Sequence, residues 1–536
     1  MTVWVRIILL YILLVMRYFR FLAVAVLTLS SIQIAFSQDT TVRPRTAPSV
    51  EPSPQPTAAA ASNEALMTLQ SRLRQLVFSP EARRGRIGIK AVSLRTGRVI
   101  FESDSEKYFV PASNQKSFTV AAALERLGPD FRIITNVFAA GAPDSNGVIR
   151  GDLRIFGRGD VSISKAFYNG DVFKGIDALV DRIAAAGVKR IEGSIVGDES
   201  YFRGSAIPNT WEWDDLQWYY GAEVSALPIN DNVVELVVLP GSQGSPCRIT
   251  ITPPSTIYQI VNTCTTGSSA SGKTLNIHKK LDRNVLEISG VLPSGDSGHR
   301  GPIAVSRPAE LFVALLKQRL EAKGIAVAGG TRLLSPGVTA NDTPVEVARL
   351  ESPPLSVIAA RTMKPSQNMY TEVLLWTLGE EVGRKSGGSG DSSTLGLNVL
   401  KEFLKQAGID ADGIVPYDGS GMSRHNLVTP AANSRLYEYM AKESRYSRAW
   451  RDSLTIGGID GTLTNRFKGT AAANNMRGKT GTLNQVSALT GYVSTAGGDE
   501  VVVSVMVNGV AETRQRVALI DAMIVELANF RGTLDQ

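Results

Sequence analysis

Four consecutive residues, Ser113-Asn114-Gln115-Lys116, place a hydroxyl and an amine three positions apart. On a helix, residues i and i+3 share one face a turn apart, so the amine can approach the hydroxyl. A lysine in an apolar, cation-rich pocket has its neutral form favoured and can take a proton from a serine nucleophile. The spacing therefore predicts acyl-transfer chemistry, with the N–H groups at the start of the helix facing the developing oxyanion.

The S-x-x-K pattern is weak evidence by itself, because chance supplies it roughly once or twice in a chain of this length and composition. A second copy, Ser162–Lys165, follows Gly159-Asp160 in a turn-rich stretch. The two residues between its serine and its lysine do not open a helix. We interpret this second copy as non-catalytic.

Two further motifs follow the first in order along the chain. Ser366-Gln367-Asn368 is the only S-x-N in the sequence, and Lys479-Thr480-Gly481 is the only K-T-G. The K-T-G residues precede a strand-like run, where a lysine and hydroxyls on an edge strand can bind a carboxylate. Gly481 leaves room for an extended substrate beside the backbone. The ordered triplet is the signature of active-site serine, penicillin-recognising enzymes.

Five stretches of the chain resemble one family within that group. They are PASNQK (111–116), GDESYF (197–202), YGA (220–222), KPSQN (364–368) and YDGSGMS (417–423). On these stretches the chain is similar to the D-alanyl-D-alanine carboxypeptidase/endopeptidase group, the class C low-molecular-mass penicillin-binding proteins. The resemblance runs from about residue 64 to the C-terminus.

The resemblance implies a fold of the α/β (α+β) class. We expect a β-lactamase/transpeptidase-like catalytic domain, with an antiparallel sheet and helices, built from residues 64–133 and 352–536. A long insertion of two smaller β-rich domains, residues 134–351, splits this domain. The wide separation of Ser113 from Ser366 fits such an insertion, whereas β-lactamases carry far shorter gaps.

Hydrophobic periodicity and turn residues predict the elements that position the motifs. A β-hairpin is expected from Arg86–Leu94 and Arg98–Glu102, and a helix from Pro111 to Leu127. The further predicted helices are Arg307–Lys323, Leu355–Met363, Asn368–Leu378, Leu395–Ala407 and Arg516–Phe530. The further predicted strands are Val233–Leu239, Val285–Leu292, Val486–Val493 and Glu500–Val507.

The resemblance also implies a role for each motif residue. Ser113 attacks the carbonyl of a D-Ala–D-Ala bond, and Lys116 takes its proton. Ser366 relays a proton to the leaving amine, and Asn368 hydrogen-bonds the substrate amide. The substrate's terminal carboxylate is then met by the charge of Lys479 and by Thr480, Gly481 and Thr482. Backbone N–H groups of Ser113 and Thr482 form the oxyanion hole.

Three more residues are weaker candidates for binding the charged end of a diaminopimelate-like side chain: Asp198, Arg424 and Asn484. Asn484 is shorter than the glutamine expected at its position. For all three, a structural role on the surface is an equally good interpretation.

Composition and charge exclude several classes of protein. The 536 residues are 43% hydrophobic and 20% charged, which is an ordinary globular balance. A net charge of +7 is too small over so long a chain for a dedicated nucleic-acid binder. With two cysteines and three histidines, we expect no metal site and no cofactor. The expected partners are peptidoglycan peptides and β-lactams, and a homodimer is left open.

The first 37 residues predict export. Met16–Arg20 is a basic segment, Phe21–Leu29 is apolar, and Ala35-Phe36-Ser37 fits a signal-peptidase site before Gln38. Arginines interrupt this stretch, so a single uninterrupted transmembrane helix is the weaker interpretation, although an uncleaved N-terminal anchor stays open. Residues 38–63, rich in Pro, Ser, Thr and Ala, are expected to form a disordered linker. Met16 is an alternative translation start.

Cys247 and Cys264 fit an oxidising compartment. They bracket Pro253-Pro254, and closing so short a loop stabilises a fold by about 3 kcal/mol in the chain-entropy model. Two unpaired buried thiols are the alternative.

The sequence thus favours an exported serine-type D-Ala-D-Ala carboxypeptidase, with endopeptidase activity left open, that is inhibited by β-lactams. A β-lactamase or esterase on the same fold is the alternative within enzymes. A non-catalytic cell-wall-binding protein is the alternative outside them, but the intact Ser113, Lys116, Ser366 and Lys479 argue against it. Trp211, Trp213 and Trp218 could form a glycan-stacking surface, although such residues more often pack a domain.

We expect the mature protein to begin near Gln38, because the cleavage site lies directly before it. N-terminal sequencing or intact-mass analysis of the exported protein checks this. Retention of residues 1–37 would instead place the protein among membrane-anchored enzymes.

Overall fold

The computed structural model describes residues 58–334 and 344–534. The predicted signal segment 1–37 and residues 38–57 of the predicted linker lie outside the described residues. The rest of the linker prediction is wrong, because helix α1 (Ala58–Val77) already begins at Ala58. A run of alanines has the highest helix propensity, and the turns that follow bury leucines against the sheet. Among the described residues, no helix has the length and apolar character needed to cross a membrane.

A six-stranded antiparallel sheet underlies the motif residues. In spatial order its strands are β2 (Val99–Ser103), β1 (Arg86–Ser93), β24 (Glu500–Asn508), β23 (Val486–Ser494), β22 (Arg477–Leu483) and β21 (Thr455–Ile456). Strand β1 pairs with β24 along its whole length, so segments far apart in the chain lie side by side in the sheet. The predicted hairpin and the two predicted C-terminal strands are confirmed.

Both faces of this sheet are covered. Side chains of β24 alternate between two apolar clusters: Val501 and Val503 pack with α1 and with helix α10 (Thr513–Ala528). Val502 and Met506 face the other cluster, which is made mainly by helices. This period of two is the signature of a strand between two layers. The result is a helix–sheet–helix arrangement, which confirms the predicted fold class.

The helical layer carries Lys116 and Asn368. Its helices are α2 (Gln115–Leu127), α5 (Leu355–Met363), α6 (Asn368–Leu378), α7 (Ser392–Gln406), α8 (Pro430–Lys442) and α9 (Ser447–Ser453). A π-helical stretch, Gly379–Arg384, continues α6, and the two-residue strands β19 (Ile414–Val415) and β20 (Leu427–Val428) pair antiparallel at the two ends of the loop 416–426. The predicted helices α5 and α6 are confirmed to the residue.

The segment between these two parts of the chain forms its own sheets. Its strands are β3 (Ile134–Ala139), β4 (Val148–Ile149), β5 (Leu153–Phe156), β6 (Arg190–Ile191), β7 (Ile195–Asp198), β8 (Val233–Leu239), β9 (Arg248–Thr252), β10 (Gln259–Asn262), β11 (Thr265–Gly267), β12 (Asn276–Lys279), β13 (Val285–Ser289), β14 (Val291–Pro293), β15 (His299–Ala304), β16 (Ala326–Val327), β17 (Thr331–Leu333) and β18 (Val345–Glu351). Helices α3 (Lys174–Ala185) and α4 (Pro308–Ala322) pack with them around one apolar cluster. Its division into two domains stays a prediction.

One predicted strand of this segment differs from the structure. The run Val285–Leu292 is two short strands, β13 and β14, because Gly290 between them adopts φ 93°. This is the left-handed region that glycine enters at little cost. The two halves pair with different neighbours, β13 with β10 and β14 with β11.

Cys247 and Cys264 are joined by a disulfide, with their Cα atoms 5.4 Å apart. The bond closes a loop with a sequence separation of 17, and both residues belong to the apolar cluster of the segment. The cross-link therefore ties β9 and β11, which lie in different sheets, into one core.

We expect no free thiol to titrate in denatured, unreduced protein. Replacing both Cys247 and Cys264 by serine should lower the free energy of unfolding by about 3 kcal/mol, because the unfolded chain loses a cross-link. Denaturant titrations of the two proteins measure this difference. Equal midpoints would contradict the prediction.

Candidate active site

The nucleophile candidate Ser113 lies in a single 3₁₀ turn, Ala112–Asn114, that leads directly into α2. Ala112 adopts φ 46°, which turns the chain sharply at the entrance of the helix. Lys116 follows one turn later, and its Nζ lies 2.9 Å from Ser113 Oγ. The expected meeting of hydroxyl and amine on one helix face is therefore present.

The Lys116 amine is completely buried, with 0% of the residue exposed. Its three hydrogen bonds go to Ser113 Oγ, to Asn368 Oδ1 at 2.6 Å and to the Ser420 carbonyl at 2.6 Å. Burial lowers the pKa of Lys116 to about 7, against the opposing attraction of the Asp418 and Glu372 carboxylates. A substantial fraction of the amine is therefore neutral near pH 7 and available to accept a proton.

Ser366 and Lys479 form a second hydroxyl–amine pair. Lys479 Nζ donates to Ser366 Oγ at 2.8 Å and to its neighbour's carbonyl, Thr480 O, at 2.8 Å. Burial, reinforced by the positive charge of Lys116, holds the pKa of Lys479 well below its usual range. An anion bound beside this amine would favour its charged form.

Asn368 has an amide orientation set by its partners. Its Oδ1 accepts from Lys116, while its Nδ2 donates to the Tyr220 carbonyl at 2.8 Å and to Met422 Sδ at 3.4 Å. Tyr220 belongs to the segment inserted between β3 and β18. This segment thus orients a side chain of the S-x-N motif.

Strand β22 passes close to the nucleophile. A Cβ on Gly481 would lie 2.4 Å from the Pro111 carbonyl and 3.1 Å from the Ser113 backbone nitrogen, so only glycine allows this approach. Asn114 Nδ2 donates to the Lys479 carbonyl at 3.1 Å and ties α2 to the strand. The pairing of β21 with β22 extends only over Arg477 and Gly478. Thr482 beyond them is exposed to solvent.

These elements surround a cleft of about 420 Å³. Of the predicted site residues, the structure brings to its wall Ser113, Ser366, Asn368, Thr480, Thr482, Arg424 and Asn484. Lys116, Lys479 and Gly481 lie directly behind them, through the contacts described above. A single cleft therefore collects all three motifs from segments far apart in the chain.

Asp198 is not part of this cleft. It lies at the end of β7, 1% exposed, and pairs with Arg154 at 3.0 Å while its other oxygen accepts from the Ser200 backbone N–H. Its carboxylate is thus satisfied within the inserted segment. The structure therefore does not place Asp198 at the wall of this cleft, and its contact with the substrate's charged end stays a prediction.

Arg424 and Asn484 face the cleft, but in a different arrangement from the one expected. Arg424 donates to the backbone carbonyl of Asn484 at 3.2 Å and pairs with Glu212 at 2.7 Å. Its charge is therefore already matched at the rim of the cleft.

The second S-x-x-K copy is structural. Ser162 Oγ donates to Asp160 at 2.6 Å, and the Lys165 amine pairs with Glu235. Its serine and lysine therefore bind different partners, in agreement with a non-catalytic copy.

Sequence reasoning missed the contribution of the stretch 211–220, which lines the cleft with Asp215, Tyr219 and Tyr220. Burial, with neighbouring acids, raises the pKa of the Asp215 carboxyl. The cluster of acids and aromatics in this stretch was visible in the sequence, but its position was not. Of the three tryptophans, Trp211 is buried and donates to Asp418 at 3.0 Å, whereas Trp213 is 67% exposed.

The chain is similar to known carboxypeptidases over most of its length. The sequence profile of the D-Ala-D-Ala carboxypeptidase 3 (S13) family matches residues 69–530. The D-alanyl-D-alanine carboxypeptidase of Actinomadura sp. (strain R39) is 32% identical over 489 residues, which cover 89% of this chain and 87% of that one. D-alanyl-D-alanine carboxypeptidase DacB of Haemophilus influenzae is 25% identical, over 79% of this chain and 85% of that one.

The crystal structure of penicillin binding protein 4 (dacB) from Haemophilus influenzae superposes with a TM-score of 0.72 at 23% identity, covering 86% of this chain and 99% of that one. The fold of the two proteins is therefore shared over nearly the whole length. Taken with the profile match over most of its length, this shows that the chain belongs to the D-Ala-D-Ala carboxypeptidase 3 (S13) family.

Proposed function

We propose that the protein is an exported serine-type peptidase that removes the terminal D-Ala from peptidoglycan stem peptides through an acyl-enzyme. The observation that carries this proposal is the fully buried Lys116 amine, 2.9 Å from the hydroxyl of Ser113. A neutral amine in hydrogen-bond reach of a serine at a cleft wall is what a serine nucleophile needs for activation. Family membership supports the D-Ala–D-Ala bond as the target.

Acylation follows from the contacts. Ser113 Oγ forms a bond to the scissile carbonyl carbon while its proton passes to Lys116 Nζ. The negative charge that develops on the carbonyl oxygen is met by the backbone N–H groups of Ser113 and Thr482. When the tetrahedral intermediate collapses, the C–N bond breaks and the leaving amine receives a proton through Ser366. Water then attacks the ester carbonyl through the same steps, the bond to Ser113 Oγ breaks, and the shortened peptide is released.

The substrate's terminal carboxylate is bound along the middle of β22. The Lys479 amine is held beside Ser366, and Thr480 and Thr482 line the same cleft. A carboxylate placed there restores the charged form of Lys479 and gains charge-assisted hydrogen bonds. The requirement for a free carboxylate directs the enzyme to the end of a peptide.

β-Lactams fit the same site because their ring amide and carboxylate imitate D-Ala–D-Ala. After ring opening the leaving nitrogen stays tethered to the acyl group, so water reaches the ester slowly. A structure of Haemophilus influenzae penicillin binding protein 4 has been determined in complex with a β-lactam, which is consistent with this proposal.

The cleft also has a charged wall away from the scissile bond. Asp215 faces it from the inserted segment and Arg424 from the loop after the G-S-G residues. We infer that these two groups, rather than Asp198, contact charged parts of the stem peptide. Cleavage of cross-links, an endopeptidase activity, requires the same cleft to accept a branched acceptor peptide.

We expect the rate of acylation to fall as the pH drops below about 7. The pKa of Lys116 is lowered to about 7 by burial, so the amine is protonated below that pH and cannot accept the serine proton. Stopped-flow labelling by a fluorescent penicillin across pH 5–9 measures the acylation rate and its fall on the acid side, the acid limb of the pH profile. A rate that stays constant down to pH 5 would contradict the role of Lys116.

We expect Ser113→Ala to abolish both penicillin labelling and release of D-Ala from muropeptides, analysed by mass spectrometry. The matched control is Ser162→Ala, in the second S-x-x-K copy. It should keep both activities but lower the melting temperature, because the buried Asp160 loses a hydrogen bond. Label on Ser162, or normal D-Ala release by Ser113→Ala, would show that the nucleophile is misassigned. Cleaved cross-links among the products would add endopeptidase activity.

A further inference from the structure

Two carboxyl groups lie buried behind the Lys116 amine, and the mechanism above uses neither of them. Glu372 is in the second turn of α6 and Asp418 is in the loop between β19 and β20. Each is 1% exposed, and neither lines the cleft. Burying a carboxyl group costs free energy unless hydrogen bonds replace its water. The groups that donate hydrogen bonds to these two carboxyl groups therefore indicate their role.

Backbone N–H groups of one loop donate the hydrogen bonds that water would otherwise make to these carboxyl groups. Glu372 accepts from the N–H groups of Gly419 at 3.1 Å and Ser420 at 2.7 Å. Asp418 accepts from the N–H groups of Gly421 and Ser423, at 2.8 and 2.7 Å. The side chains of Asn426 and Trp211 complete the shell of Asp418. The loop is therefore wrapped around two carboxyl groups.

Ser420 connects this arrangement to the general base. Its N–H points at Glu372, and its carbonyl accepts from Lys116 Nζ at 2.6 Å. Asn368 and Glu372 are four residues apart on α6 and so share one helix face. Asn368 contacts Lys116 directly, whereas Glu372 reaches it through the Ser420 peptide.

We propose that Glu372 is a positioning residue for acylation: it holds the Ser420 peptide so that the Ser420 carbonyl meets the Lys116 amine. The proposal rests on the proposed function, since it assigns a role within the same acylation step. Glu372 contacts no reacting atom.

Glu372 acts on Lys116 through the Ser420 peptide and not through its charge. Ionisable groups approach Lys116 from three elements: Glu372 on α6, Asp418 on the loop and Lys479 on β22. Burial lowers the pKa of Lys116 to about 7, against the attraction of the two acids. Burial and the nearby Asp418 raise the pKa of Glu372 to about 8. Glu372 is therefore largely neutral in the pH range where Lys116 titrates.

The test compares the pH dependence of penicillin acylation in the wild-type protein and in Glu372→Gln. The acid limb should keep its position, because Glu372 is already largely neutral in that pH range. The rate on the plateau should fall about tenfold, because above about pH 8 an amide accepts from the Ser420 N–H less strongly than a carboxylate and holds the carbonyl less well. A purely structural role would lower the melting temperature and leave the plateau rate of the folded protein unchanged.

The matched control is Glu380→Gln. Glu380 lies one helical segment further on, 6% exposed, and accepts from Arg384 and Ser392, away from the cleft. Its replacement should leave both the limb and the plateau unchanged. A wild-type plateau rate in folded Glu372→Gln, or an equal fall in Glu380→Gln, would overturn the proposal.

If Glu372→Gln does not fold, Glu372→Asp gives the second test. The charge stays but the shorter side chain withdraws from the loop, so the limb should keep its position and the plateau rate should fall. A wild-type plateau would overturn the proposal. A wild-type protein that penicillin does not label would instead overturn the proposed function, so the two failures can be told apart.

Discussion

The burial of the Lys116 amine determines the chemistry that the site can perform. Lys116 has no exposed surface, and the helices that cover it are the same ones that form the larger apolar cluster of the protein. Because a charged amine is disfavoured there, Lys116 can act as a base near neutral pH instead of remaining a permanent cation. The packing of the helical layer is thus a chemical requirement as well as a source of stability.

Segments from distant parts of the chain surround the Lys116 amine and its neighbours. Strand β22 supplies Lys479 and passes against the nucleophile at Gly481. Helix α6 supplies Asn368, and the inserted segment holds the amide of that residue through the Tyr220 carbonyl. The insertion is therefore part of the proposed active site: it contributes to the cleft wall and orients the side chain of Asn368.

The sequence predicted what local geometry determines. The approach of Lys116 to Ser113 follows from one helical turn, and the limits of α5 and α6 follow from their periodicity and flanking residues. It could not predict that Asp215 faces the cleft while Asp198 is bound by Arg154. Both acids lie in the same inserted segment, and only its tertiary packing decides which one lines the cleft. The contact of Trp211 with Asp418 was hidden for the same reason.

The pairing of β1 with β24 has a consequence for biosynthesis. Ser113 is synthesised well before Lys479 and the strands beside it. The central sheet cannot close before those strands are made, and joining segments so far apart is an entropically slow step in folding. A chain shorter than this carries the proposed nucleophile without the lysine assigned to the substrate carboxylate. The proposed hydrolytic activity therefore requires strands β22 to β24 to have been synthesised and paired.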